Sequence, residues 1–263
     1  MTLQAANRLT VAETQLIDAY TQQIGSLPGD GAVLQKRDGL FDVLKRQGLP
    51  TRRVETFHYT DLKALLRALP ADEPQAIAKA ADALVSGATV LNVLQGVAQT
   101  PSALPDGLSV TLYRDALLSG TAAEGLTPFN GDDTIGRING AFVRDGLIVD
   151  VADDAEIEAP IELQSVHAAG QLHLRFPASF GRGSKATVIE RHIGQSGSAA
   201  LASVVADLKL GDGAEITWII LQGEGDADTH LGQIRVELGA DAKFRLFIIN
   251  AGGKLVRQEV HVK

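Results

Sequence analysis

The chain has 263 residues, 45% of them hydrophobic, with 27 glycines and a formal charge of −8 from 32 acidic and 24 basic side chains. That apolar content excludes a disordered chain, and the acidic excess argues against a nucleic-acid partner. With no cysteine, the chain itself holds no disulfide, thiolate nucleophile or thiolate-ligated cluster.

The first third reads as helical. Thr10-Val11-Ala12-Glu13 is a capping-box pattern, and Val11, Leu16, Ile17, Tyr20 and Ile24 follow at roughly helical spacing. Pro28-Gly29-Asp30-Gly31 breaks that helix. Leu34, Leu40, Phe41 and Leu44 predict a second one, ending at Gly48-Leu49-Pro50. Thr60 or Asp61 caps a short third helix carrying Leu62, Leu65, Leu66 and Leu69. Pro74 in a first-turn position predicts a fourth, Ala-rich helix over residues 75–85.

The period then changes. Residues 88–94 are apolar and β-branched, 108–112 alternate strictly, and 114–125 suit a short helix and loop. Beyond Gly140 the pattern predicts strands at 147–151, 161–166, 172–176, 187–191, 201–210, 216–222, 232–238, 244–249 and 255–262, most of them separated by Gly- or Asp-rich turns. A phrase recurs at these turns. Val151-Ala152-Asp153-Asp154-Ala155-Glu156-Ile157 returns as Leu210-Gly211-Asp212-Gly213-Ala214-Glu215-Ile216 and again as Leu238-Gly239-Ala240-Asp241-Ala242-Lys243-Phe244. A repeated turn-then-strand unit favours a solenoid over a sandwich or barrel, because stacked coils place like turns above like turns. The expected architecture is therefore α+β, with an N-terminal helical domain over 1–86 and a right-handed parallel β-helix over 87–263.

Few residues point to chemistry. The histidines are His58, His167, His173, His192, His230 and His261, and none forms an HExxH pair. Asp226-Ala227-Asp228-Thr229-His230 is the one tight cluster of hard metal ligands, but a solvated turn before a strand explains it more simply. Gly181-Arg182-Gly183-Ser184-Lys185 has the residues to cradle an anion, but an ordinary coil-to-coil turn explains it better. Asp150, Asp153 and Asp154 resemble the carboxylate clusters of β-helical polysaccharide-active enzymes, yet two of them lie in the repeated turn phrase. Trp218 sits in an apolar strand and reads as core. Arg52 and Arg53 are either an ion-pair anchor or a solvated loop. No catalytic, cofactor-binding or metal-ligating residue is assigned, and no enzyme activity is expected. No run of 18 apolar residues spans a membrane, and Met1–Arg8 lacks the order of a secretory signal, so the expected location is cytoplasmic.

Several phrases resemble a known family. Pro50-Thr51-Arg52-Arg53-Val54-Glu55-Thr56-Phe57-His58-Tyr59-Thr60-Asp61-Leu62 is similar to the N-terminal hallmark of the SufD branch of the SufB/SufD family of iron–sulfur cluster assembly. The stretch from Asn139 to Gly146 resembles that family's Asn-x-Ala-Phe-x-x-Asp-Gly, and Pro160-Ile161-Glu162-Leu163 its Pro-Ile strand. Val188-Ile189-Glu190-Arg191 also fits, as does Gly252-Gly253-Lys254-Leu255-Val256-Arg257, its Gly-x-x-x-x-Arg strand. The resemblance implies a non-catalytic scaffold that works with SufB and the ATPase SufC, with an iron–sulfur cluster present only at the level of the complex. It also implies a longer protein, in which further coils and a C-terminal helical domain follow Lys263. His261 lacks the motif context of the family histidine implicated in cluster assembly. For the chain in isolation, a homodimer through the C-terminal coils is expected, because an open strand edge invites pairing.

Overall fold

Alternating residues in the second half of the chain wind into two facing sheets, seen in a computed structural model that describes residues 9–195 and 197–263. The first sheet contains β1 (Thr89–Leu94), β2 (Val97–Ala98), β5 (Ile161–His167), β7 (Lys185–Gly194), β9 (Glu215–Gly223) and β11 (Lys243–Asn250), in the order β11-β9-β7-β5-β1-β2. The second contains β3 (Leu108–Leu112), β4 (Asp145–Val151), β6 (Gly170–Phe180), β8 (Ala200–Leu210), β10 (Thr229–Leu238) and β12 (Leu255–Val262), in the order β12-β10-β8-β6-β4-β3. From β5 onward the chain alternates between the sheets and every pairing is parallel. This is the expected parallel β-helix. Met1–Arg8, read above as lacking a signal, lies outside the described residues.

The pleat sorts side chains between two cores. Leu163, Val188 and Trp218 of the first sheet meet Phe176, Ala206 and Ile234 of the second inside the solenoid. The outer face of the second sheet presents Leu201, Val205 and Leu231 to a helical layer. That layer contains α1 (Val11–Gln23), α2 (Gly31–Gln47), α3 (Leu62–Leu65), α4 (Tyr113–Leu118) and α5 (Thr134–Phe142). The capping box forms as read: the Thr10 side chain accepts from the Glu13 N–H, and the Glu13 carboxylate accepts from the Thr10 N–H. Gly48 ends α2 at φ +69°, a backbone conformation that favours glycine. Asp61 caps α3.

The repeated phrase is one corner of the coil. The Gly181 N–H donates to the Val151 carbonyl, Gly211 to Phe180, and Gly239 to Leu210, one above the other. Asp153 Oδ1 accepts from the Arg182 N–H and Asp212 Oδ1 from the Ala240 N–H, each at 2.8 Å, so the turn acids tie one coil to the next. Phe180-Gly181-Arg182-Gly183-Ser184-Lys185 occupies the same corner. It is a further copy of the phrase, hidden in the sequence because its turn letters differ.

Two parts of the reading change. Residues 75–85 form no helix. They run extended beside the first sheet, whose side chains bond their backbone: Gln195 and Lys79 exchange two bonds, Gln164 and Ala81 two more, the Leu84 N–H donates to Glu162, and Arg191 donates to the Asp82 carbonyl. A helix here would satisfy its own N–H groups and leave the buried Glu162 and Gln164 without these partners, so tertiary bonding overrides the alanines' propensity. Helix α5 was not expected, because Gly136, Asn139 and Gly140 are poor helix formers. It forms because Asp133 caps it and because it is wholly buried between α2 and the second sheet.

Candidate functional site

Most family-like phrases turn out to be structural joints. Asn139 Nδ2 donates to the Leu174 and Ser203 carbonyls, and its Oδ1 accepts from Arg175 at 2.8 Å, which fastens α5 to β6 and β8. Arg144 pairs with Asp72 at 2.6 Å. Asp145 accepts from the Ala98, Arg114 and Gly146 N–H groups, while burial raises its pKa. Gly146 lies where a Cβ would strike the Arg175 carbonyl. The Arg257 guanidinium lies 4.0 Å from the centre of the Phe57 ring and donates to the Thr56 carbonyl, so the first and last phrases touch. Arg52 and Arg53 are exposed and have no ion-pair partner among the described residues.

The sequence-level candidates separate. In Gly181–Lys185 every amide that would line an anion cradle is engaged in coil stacking or the turn itself, so the segment is a corner. Asp153 and Asp154 are exposed in that corner beside Arg182, and the described clefts are lined by other residues. Trp218 is core, as read, and its Nε1–H also donates to Glu190 at 2.8 Å. His261 lies on the outer face of the second sheet, stacked on Phe129. Buried His173 stacks on Phe142, and burial together with nearby Arg144 and Arg37 lowers its pKa to about 3.

The Asp226–His230 reading needs correction. Asp226 and Ala227 do form a turn before β10, with Asp226 exposed, but Asp228 and His230 are buried at 1% and 0% exposure. The two share no partner. Asp228 meets His167 Nε2 at 3.2 Å and accepts from the Ala200 and Gly225 N–H groups, whereas His230 Nδ1 meets Glu224 at 3.1 Å. Both belong to a polar corner inside the solenoid, opposite the repeated phrase, where first-sheet strands end and second-sheet strands begin.

His192 is the centre of this corner. Its Nε2 meets Glu190 at 2.9 Å, and its ring lies 4.8 Å from that of His230. His192, Glu224 and His230 each place one ligand atom within 4.8 Å of the others. Gln222 donates to Glu224, and Gln258 contacts His230 Nε2 at 3.1 Å. Burial alone would raise the Glu224 pKa, but His230, His192 and His167 hold it well below the usual carboxylate range. Burial likewise opposes charge on His230, and Glu224 overcomes that and raises its pKa. Only the Asp228–His230 part of this corner was visible as a cluster in sequence. The missed signal is polar residues on inward-facing strand positions: Glu190 and His192 share the parity of Val188, and Gln222 that of Trp218.

The largest described cleft, about 710 Å³, lies between the α4 region and the outer face of the second sheet. Of its charged lining, Arg235 pairs with Asp207 and Lys263 with Glu237. That leaves the inner corner as the more distinctive chemistry.

The family described as SUF system FeS cluster assembly, SufBD core domain, matches residues 164–263. The chain is 25% identical over 95% of its length to protein ABCI7, chloroplastic, of Arabidopsis thaliana. It is 22% identical over 89% of its length to an iron-sulfur cluster assembly SufBD family protein of Synechocystis. The chain spans 57% of the length of each of these two relatives.

Proposed function

We infer that this chain, a SufB/SufD family protein, belongs to the SufD side of the family and acts in iron–sulfur cluster assembly as a non-catalytic scaffold. The observation that carries the reading is the match over residues 164–263, which begins within β5 and runs through β12. The phrase at residues 50–62 favours the SufD side, and these 263 residues hold no cysteine, so this part of the protein carries no persulfide and ligates no cluster through thiolates. The whole protein would pair with SufB and with the ATPase SufC, in the cytoplasm, and the iron–sulfur cluster is cargo of that complex. Among the described residues no helix is long and apolar enough to cross a membrane.

The surface that best suits a partner is the edge made by β11 and β12. Phe247 and Ile249 on the outer face of β11 and Val260 and Val262 on the lumen side of β12 are exposed at this end, on strands with one paired neighbour each among the described residues. The isolated chain uses this edge to bind a second copy. Deleting the intact gene tests the function: iron–sulfur enzyme activities should fall, most under iron limitation or oxidative stress. Unchanged activities under both conditions would overturn the reading.

A further inference from the structure

The inner corner is built like a ligand site. Glu190, Glu224 and Asp228 place three carboxylates in one part of the solenoid interior, each with side-chain exposure of 5% or less. No lysine or arginine reaches them among the described ion pairs. Their counter-groups are the imidazoles of His192, His230 and His167, plus amide donors and Trp218. Buried carboxylates without full compensation are costly, so such a corner favours an added cation.

The hydrogen bonds already orient His192 for one. His192 gives Nε2 to Glu190, whose other oxygen is fixed by the Trp218 N–H, and the remaining Nδ1 is buried with no partner. A carboxylate holding one imidazole nitrogen so that the other points a lone pair at an ion is a recurrent supporting arrangement in metal sites. At His230 the Gln258 amide donates to Nε2, so Nδ1 carries the proton that meets Glu224 and gives it up when an ion binds there. The Gln222 Oε1 is also buried and unpartnered, beside the Glu224 carboxylate. Gly252 and Gly253, at φ +108° and +86°, fold the next turn over this corner. A Cβ on Gly252 would strike the Glu224 carbonyl, and one on Gly253 would lie 3.2 Å from Gln222 Nε2.

We propose that His192, Glu224 and His230 bind one divalent first-row transition-metal ion inside the solenoid. Two imidazoles and one carboxylate suit zinc or ferrous iron rather than magnesium or calcium, which take oxygen ligands. Ligands at about 2.0–2.1 Å from a common ion lie roughly 3–4 Å apart. The three ligand atoms, now within 4.8 Å, need to close by about 1 Å. The site requires no contact with another protein and stands whether or not the assembly role is correct.

Untagged protein titrated with Co²⁺ should take up one ion per chain and develop the visible absorption of nitrogen- and oxygen-ligated cobalt. Zn²⁺ should compete and Mg²⁺ should not. Glu224→Gln and His192→Gln, shown folded by circular dichroism, should each weaken Co²⁺ binding at least tenfold, whereas Asp226→Asn should leave it unchanged. On the unaltered chain, Zn²⁺ should move the ring-nitrogen resonances of His192 and His230 but not those of His58, which keeps the test valid should a variant fail to fold. Absence of stoichiometric binding, binding that survives both variants, or shifts confined to His58 or His261 would overturn the proposal.

Discussion

Replacing Arg37 with methionine tests how α2 is joined to α5, the helix that lies on the second sheet. Arg37 lies on α2, is fully buried, and donates to the carbonyls of Pro28, Gly140, Ala141 and Val143 at 2.6–3.2 Å. Three of these acceptors are at the C-terminal end of α5, where the helix has spare carbonyls and a partial negative charge. Burial lowers the guanidinium pKa to about 10, so it stays charged at neutral pH. Each charge-assisted bond contributes about 1.5–3 kcal/mol, but they share one side chain and do not add. Methionine fills most of the volume yet leaves the carbonyls unpaired, so the expected loss is about 3–5 kcal/mol. Urea denaturation followed by far-ultraviolet circular dichroism should show the midpoint falling by roughly 1–2 M. Arg37→Lys should recover less than half of this, because an ammonium lacks the planar fork. A loss below about 1 kcal/mol for Arg37→Met would show that apolar packing and the Asn139 bonds hold α5 without Arg37.

Four further outcomes follow from particular contacts. Burial by itself would raise the Glu13 pKa, but the Thr10 and Leu49 N–H groups and Lys63 hold it below its ordinary 4.5. Its stabilisation is therefore complete above about pH 4.5 and lost as pH falls through the folded value, so Glu13→Gln should cost about 1–3 kcal/mol at pH 7 and progressively less in acid urea titrations. Gly239→Val should lower the thermal midpoint measurably, costing about 1–3 kcal/mol, because a Cβ there lies 2.7 Å from the Asp212 nitrogen; an unchanged midpoint would show that the corner has slack. Glu162→Ala removes the acceptor of the Leu84 N–H and the partner of Arg191, and hydrogen exchange across residues 79–84 should quicken while the lumen strands stay protected. Val260→Lys should shift any dimer of the isolated chain towards monomer in light scattering at matched concentration, and a dimer that persists would place the contact elsewhere.

Much of this architecture was legible because it is encoded locally. Thr10 and Glu13 announce α1, Gly48 ends α2, and the turn phrase at 151, 210 and 238 reveals the coil. The copy at 180 was hidden because Gly-Arg-Gly-Ser fills the same corner without the Asp-x-Ala spelling. The errors lie where distant residues decide. Alanines at 75–85 favour a helix until Gln164, Glu162, Arg191 and Gln195, far away in sequence, claim their backbone. Helix α5 is unrecognisable from its glycines: Gly140 packs against Leu40 and Leu126, and Gly136 makes room for the capping Asp133 carboxylate. The inner corner was hidden for a related reason. Glu190, Gln222, Glu224 and His230 come together only once successive coils are stacked in register, and that register cannot be read from any one strand.

The central claim is that the intact protein is the SufD-like member of an assembly scaffold, and the most direct measurement is its association state with SufB and SufC. Full-length protein mixed with both and passed through size-exclusion chromatography with multi-angle light scattering should elute as a complex of defined stoichiometry containing all three. Elution of the full-length protein by itself, under conditions where SufB and SufC bind one another, would contradict the account.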